Sequence, residues 1–421
     1  MRIRGWLQIR RVVVAAVIAG LATIGGWLMF KPVPHSEFSA RLGQAESSLA
    51  DIPEISVPGP PSMSSQPTGS GKVKRCRERG AAAADVYKPW FAFSTSDPML
   101  NDLARKLLLR PAPTDRAVGT YLLMHAAIAN AAMDFEARNP GWFENEESRT
   151  QFHQIEAQAG SAHREELAQL AATSDNPDVY ALGFYACSLY EPATDSRCSQ
   201  LSAEQWARLE PDNAIPWFYV ADSAVKRGDL AGRDEAMFRA SIARSSNLRR
   251  SAFSELFQSA ELQAQPLEIQ ASLDLHVLYL NMTKPPYEPA WRYCSGDAAD
   301  DLYRRQICTG LARVMTERSD TLSTMSIGIG LAERSGWPRD QLEALRDRRD
   351  AIYQIRSTQS GGDLQSCELV RSIQSWASDG IRVGELAAYE RAIAASGQTE
   401  AELAQRLRAE QAKSKGSTEA Q

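Results

Sequence analysis

Residues 209–242 read LEPDNAIPWFYVADSAVKRGDLAGRDEAMFRASI, and their pattern decides the fold class. Asn213 stands where a helix N-cap is wanted, and the apolar residues after it recur with a helical period. Trp217, Val220, Ala221 and Ala224 fall on one face of a first helix. Gly228-Asp229 supplies a turn, and Ala240 lies on a second helix. Small residues at 221 and 224 let the two helices approach closely, while Trp217 is expected to fill the groove between neighbouring pairs.

These positions, with Pro211 six residues before Trp217, resemble a tetratricopeptide repeat, whose unit is about 34 residues. The resemblance covers one unit. Arg233 stands where the repeat has a packed alanine, no proline closes the unit near 245, and no second copy keeps the register; SIGIGLAERSGWP, 326–338, offers a degenerate pair with Gly328 and Gly330 allowing close packing. What the resemblance implies is a stack of helix hairpins whose inner face takes a peptide or a partner helix, with Tyr219 and Asp222 as partner-binding residues beside Trp217.

Helical signals dominate from about residue 85 onward, and alternating strand patterns are scarce. Asn176-Pro177 reads as an N-cap with proline at the first position, and Ser202-x-x-Gln205 as a capping box. Gly336 reads as a C-cap before Pro338 opens the next helix. In DDLYRRQICTGLARVM, residues Tyr303, Ile307, Leu311 and Val314 share a stripe. The expected fold class is all-α, an irregular α–α superhelix of helix pairs after one N-terminal transmembrane helix and a flexible linker.

Residues 12–30, VVVAAVIAGLATIGGWLMF, carry no charge and nearly reach the roughly 20 residues a membrane-spanning helix needs. Arg2, Arg4, Arg10 and Arg11 precede the span and only Lys31 follows closely, so the positive-inside rule places 1–11 in the cytoplasm. A cleaved export signal is the alternative, but the apolar run exceeds the usual signal core and no small-residue cleavage site follows promptly. Ala16/Gly20 and Ala22/Gly26 have the small-xxx-small spacing that would allow a homodimer through this helix. Residues 31–80 are a Pro- and Ser-rich linker, 81–400 the helical body, and 401–421 a charged tail expected to fray. Arginine outnumbers lysine 38 to 9, a bias of high-GC bacteria, so the expected location is a bacterial inner membrane with the bulk in the periplasm.

The net charge of −5 and the absence of a basic domain exclude a nucleic-acid partner. All six cysteines follow the apolar span, and an exported compartment favours disulfides. Close spacing pairs Cys187 with Cys198 and Cys294 with Cys308, the second requiring a helix break near Ser295-Gly296; Cys76 and Cys367 remain by elimination. No metal is expected, because no C-x-x-C occurs and the five histidines show no ligand spacing near the cysteines.

No nucleophile elbow, zinc-protease helix, phosphate loop or dinucleotide fingerprint is present, and no cofactor is implied. His125 lies in an apolar helix and reads as a core residue. Glu144, Glu146 and Glu147 read as a solvated helix start. Trp90 and Phe91, in DVYKPWFAFSTSDP, either seal the end of the helical body or offer a docking surface. The expected function is a membrane-tethered periplasmic scaffold for protein–protein contacts, without catalysis. Alternatives are an envelope-polymer hydrolase whose carboxylates only the fold brings together, and an extracytoplasmic sensory subunit.

Overall fold

The computed structural model describes residues 98–139, 141–190, 196–264, 270, 273, 285–295, 301–360 and 367–418. The chain divides into Met1–Lys72 and Val73–Gln421, and every described residue belongs to the second unit. The arm at 1–11, the span at 12–30, the linker at 31–80, Cys76, Trp90 and Phe91 lie outside the described residues. Among the described residues no helix is long and apolar enough to cross a membrane.

Every regular element among these residues is a helix, and the extended pairings are two isolated bridges, Asn213–Ser245 and Ser246–Ser319. The protein is all-α. The first half holds α1 (Pro98–Leu108), α2 (Pro113–Arg138), α3 (Glu146–Ala159), α4 (Ser161–Ala172), α5 (Pro177–Ser188), α6 (Ala203–Leu209), α7 (Ala214–Lys226) and α8 (Leu230–Ile242). After them come the short α9 (Ser254–Gln258), α10 (Ala260–Gln263) and α11 (Glu288–Tyr293). The last part holds α12 (Leu302–Glu317), α13 (Leu322–Arg334), α14 (Arg339–Ser360), α15 (Cys367–Val383), α16 (Glu385–Ser396) and α17 (Glu400–Thr418). Consecutive helices pack as pairs: α1 on α2, α4 on α5, α7 on α8 and α12 on α13, with α14 against α17 and α15 against α16.

Local chemistry sets the helix ends. The Asn176 side chain accepts from Asp178 N at 2.8 Å to start α5, and Asn213 accepts from Ile215 N at 3.2 Å to start α7. Gly228, at φ +73°, turns the chain between α7 and α8, and Asp229 caps α8 by accepting from Gly232 N. Only half of the Ser202 capping box forms. Ser202 Oγ accepts from Gln205 N, but the Ser202 N–H donates to the Tyr180 hydroxyl at 2.9 Å, so α5 takes the place of the glutamine side chain.

Pairs close tightly where the sequence supplies small residues. A Cβ on Gly183 of α5 would stand 2.5 Å from the Ala171 Cβ and 3.0 Å from the Leu167 carbonyl oxygen of α4. In α7 and α8 the same approach is made by Ala221, Ala224, Ala236 and Ala240, all buried. Phe218 rather than Trp217 fills the interior of α7. It is fully buried, 5.3 Å from the Tyr287 ring, whereas Trp217 is half-buried because its indole N–H reaches the Pro211 carbonyl at 3.0 Å. Arg233, where the repeat has alanine, lays its guanidinium over the Tyr293 ring at 5.3 Å and clamps α11. Of the α12 stripe, Ile307, Leu311 and Val314 are buried and Tyr303 is exposed.

The chain after 401 is not a frayed tail as far as Thr418. Leu403, Ala404 and Leu407 of α17 are buried, and Arg408 bonds Asp347 at 2.7 Å and Asp350 at 2.8 Å on α14. A narrow apolar stripe is enough to seat a helix whose remaining surface is charged.

One strap, Ser245–Arg250, joins these pairs. The first N–H groups of a helix have no partner within it, and the strap and its neighbours supply them. Ala214 N, opening α7, donates to Ser245 O at 2.8 Å; Leu322 N, opening α13, donates to Glu385 Oε2; Leu386 N of α16 donates to Asp320 O. The strap also pairs with the chain after α12 through Ser246 N to Arg318 O and Asp320 N to Ser246 O. Asn213 binds both backbone groups of Asn247, donating to its carbonyl and accepting from its N–H. The stretch LEPDNAIPW is therefore where the strap enters the helical body.

Candidate functional site

Beside this junction α5 presents Phe184, Cys187 and Ser188 to one side. With Cys198 and Leu201 they line a cleft of about 140 Å³. Cys187 and Cys198 are joined, with Cα atoms 5.4 Å apart. The 3-10 turn Arg197–Gln200 that carries Cys198 is oriented by Glu165 of α4, which accepts from Arg197 N at 2.8 Å and from Ser196 Oγ. Ser196 Oγ in turn accepts from Cys198 N.

An aromatic wall stands behind the cleft. Phe184 lies edge-on to Tyr219, ring centroids 5.0 Å apart, and 5.3 Å from Trp206; Tyr185 lies edge-on to Trp206 at 5.2 Å. Edge-to-face pairs of this kind add to simple burial. Trp206 is fully buried and donates its indole N–H to Glu210 Oε2 at 2.7 Å. Glu210 is 5% exposed and pairs with Arg249, which also reaches Asp178 at 3.4 Å. Arg249 is the one non-glycine among the described residues with a left-handed backbone, φ +61°. Such a conformation costs a non-glycine about 1 kcal/mol or more. It persists because the Arg249 N–H is held by Asn247 Oδ1 and the guanidinium bridges Asp178 of α5 and Glu210, which caps the end of α6.

A second charged group sits deeper in the seam. Arg250 pairs with Glu385 at 3.3 Å, and Asp320 Oδ2 accepts from Leu248 N at 3.1 Å. Asp320 as a whole is half-buried, but its Oδ1 is shielded from solvent and has no hydrogen-bond partner. Burial pushes its carboxyl up to about 6, against the opposing pull of Arg250 and the Leu248 N–H. Burial raises Asp178 as well, opposed by Arg249, and lifts the Tyr185 hydroxyl well above its usual range.

The residues singled out by sequence fall in different surroundings. Tyr219 is half-buried in the aromatic wall, and Asp222 pairs with Lys226 one turn along α7 at 2.8 Å. Cys294 and Cys308 are joined, Cα atoms 5.6 Å apart, inside the largest apolar cluster; Tyr293 ends α11 and Leu302 opens α12. Cys367 opens α15. His125 is buried with its ring 4.5 Å from Tyr121. Glu146 and Glu147 lie exposed in the first turn of α3, and Glu144 ends the 3-10 turn before it.

Sequence reasoning missed Glu210, Arg249, Arg250, Asp320 and Glu385, which the fold gathers from separate elements. Their one local signal is an Arg-Arg pair directly after Asn247-Leu248, between a helix end and an apolar run. Among the described residues the cleft lining is Phe184, Ser188, Leu201 and the disulfide, so these residues offer apolar contact while the described charges anchor the wall. Among the described residues no three His, Cys, Asp or Glu side chains come together as metal ligands. Compared with known protein families, with curated proteins and with solved structures, the chain matches none.

Proposed function

We propose that the chain is a membrane-tethered helical scaffold, held in a bacterial inner membrane by residues 12–30 with its body in the periplasm, that binds a protein or peptide partner. The body is read as an irregular α–α superhelix of tetratricopeptide-like pairs. The observation that carries this reading is the row of helix pairs tied at one seam, with an apolar, disulfide-walled cleft beside an aromatic wall. A rigid support of this kind suits side-chain capture, because little ordering is left to occur on binding. The fold does gather carboxylates, as a hydrolase would need, but they bond to arginines and backbone amides in the seam and do not line the cleft.

The test is affinity capture of the crosslinked full-length chain from membranes, alongside Phe184→Asp. A partner enriched with the wild type and lost with the variant is the expected outcome. Equal recovery with both, or no enriched partner, would count against the cleft as the binding surface. Protease accessibility of the intact chain in spheroplasts tests the tether, and digestion of the body only after lysis would contradict it.

A further inference from the structure

The two described disulfides close loops of similar length, with sequence separations of 11 and 14, yet they sit in different surroundings. Cys294 and Cys308 are 5% and 2% exposed within the main apolar cluster, beside Tyr293, Ile307 and Leu311. The segment is locked from outside by Arg304, whose guanidinium lies 5.0 Å from the Tyr293 ring centre and donates to the Tyr293 carbonyl at 2.6 Å. Both sulfurs of that pair therefore pack within the main core. Cys187 and Cys198 instead form a small satellite cluster with Ala168, and both sulfur-bearing residues line the cleft.

We propose that Cys187–Cys198 is a thiol–disulfide exchange site that takes small thiols through the cleft, while Cys294–Cys308 is a structural crosslink. This rests on the positions of the two disulfides and not on the scaffold reading. The direction of attack follows from α5. Cys187 lies in its last turn, where the negative end of the helix dipole disfavours a thiolate, and at 8% it is the more exposed sulfur residue of the pair. The incoming thiolate therefore bonds to Cys187 Sγ as the Sγ–Sγ bond breaks, and the electron pair leaves on Cys198 Sγ. A second thiolate then attacks the small-molecule sulfur of the mixed disulfide, its bond to Cys187 Sγ breaks, and the electron pair leaves on Cys187 Sγ. The balance is two small thiols oxidised to their disulfide and the protein disulfide reduced to two thiols, with the two thiol protons ending on Cys187 and Cys198. Once reduced, the Ser196–Gln200 turn keeps its Glu165 bonds but loses its covalent tie to α5, so the wall of the cleft is freed.

The experiment treats the full-length oxidised protein with reduced glutathione, traps with an alkylating reagent over time, and maps each cysteine by mass, with helical circular dichroism followed in parallel. Cys187 and Cys198 should label about tenfold or more faster than Cys294 and Cys308, with helicity retained, because local access is separated from core opening. The first glutathione adduct should lie on Cys187. Equal rates for the two pairs, or labelling that tracks loss of helicity, would overturn the proposal; a first adduct on Cys198 would overturn the direction of attack. Cys198→Ala supplies a second readout with oxidised glutathione: its remaining Cys187 thiol should take one glutathione in folded protein as reduced glutathione leaves, and a Cys187 inert there would also refute it. The wild-type time course needs no variant and decides the matter if the substitution prevents folding.

Discussion

Replacing Asp320 by asparagine should stabilise the protein at neutral pH and remove part of its acid dependence. Asp320 protonates near 6 in the fold because burial outweighs Arg250 and the Leu248 N–H, against about 3.9 in an unfolded chain. A folded-state value above the unfolded one means that the folded chain holds its proton more tightly. The stabilising contribution is therefore complete below about 4, falls as pH rises through the window from 4 to 6, and is gone above it. At pH 7.5 the ionised carboxylate costs about 3 kcal/mol relative to its protonated form. Asparagine keeps an acceptor for Leu248 N and carries no charge, but its amide N–H groups need partners where Oδ1 has none. With about 1–3 kcal/mol for those unpaired donors, a net gain of at most about 2 kcal/mol remains at pH 7.5. Urea unfolding of both proteins at pH 5.0 and 7.5 reads the effect as a difference, so other raised carboxyls such as Asp178 cancel. The wild type should lose stability between the two pH values relative to Asp320→Asn. If the variant is instead destabilised at pH 7.5 and the pH difference is unchanged, Asp320 is an ionised partner of Arg250 and the account of the seam is wrong.

Gly183→Ala should cost about 1–3 kcal/mol in a urea titration, because the new methyl group meets Ala171 and the Leu167 carbonyl; an unchanged midpoint would show that α4 and α5 can separate freely. Trp206→Phe removes the donor to Glu210 inside the aromatic wall and should destabilise by about 2 kcal/mol. Pairing it with Arg249→Lys in a double-mutant cycle should give a coupling of about 1 kcal/mol, and additivity would separate the wall from its charged anchor. Removing Cys294 and Cys308 together, as alanines, should lower stability by about 3 kcal/mol, the value expected for a loop of this length.

What the sequence made legible was local. Asn176, Asn213 and Gly228 act at helix ends and turns, and their chemistry depends on nearest neighbours alone. The alanines of α7 and α8 announced a close helix pair for the same reason. What stayed hidden depends on residues far apart in the chain. Trp217 has the repeat's position but turns to the Pro211 carbonyl, leaving Phe218 to the core. Ser202 shows a capping-box pattern, yet Tyr180 from the preceding helix takes half of it. Glu210, Arg249, Asp320 and Glu385 each look like ordinary surface charges, and only the strap at 245–250 brings them inside. Tyr219 was legible as an aromatic beside the junction, but not as part of a wall built from three helices.

The most direct measurement is site-specific photocrosslinking in living cells from Ser188, an exposed residue on the cleft, compared with Arg339, exposed at the start of α14. A scaffold that captures its partner in the cleft gives one discrete crosslinked species from Ser188, lost with Phe184→Asp, and no such species from Arg339. No adduct from Ser188, or the same adduct from both positions, would contradict the account.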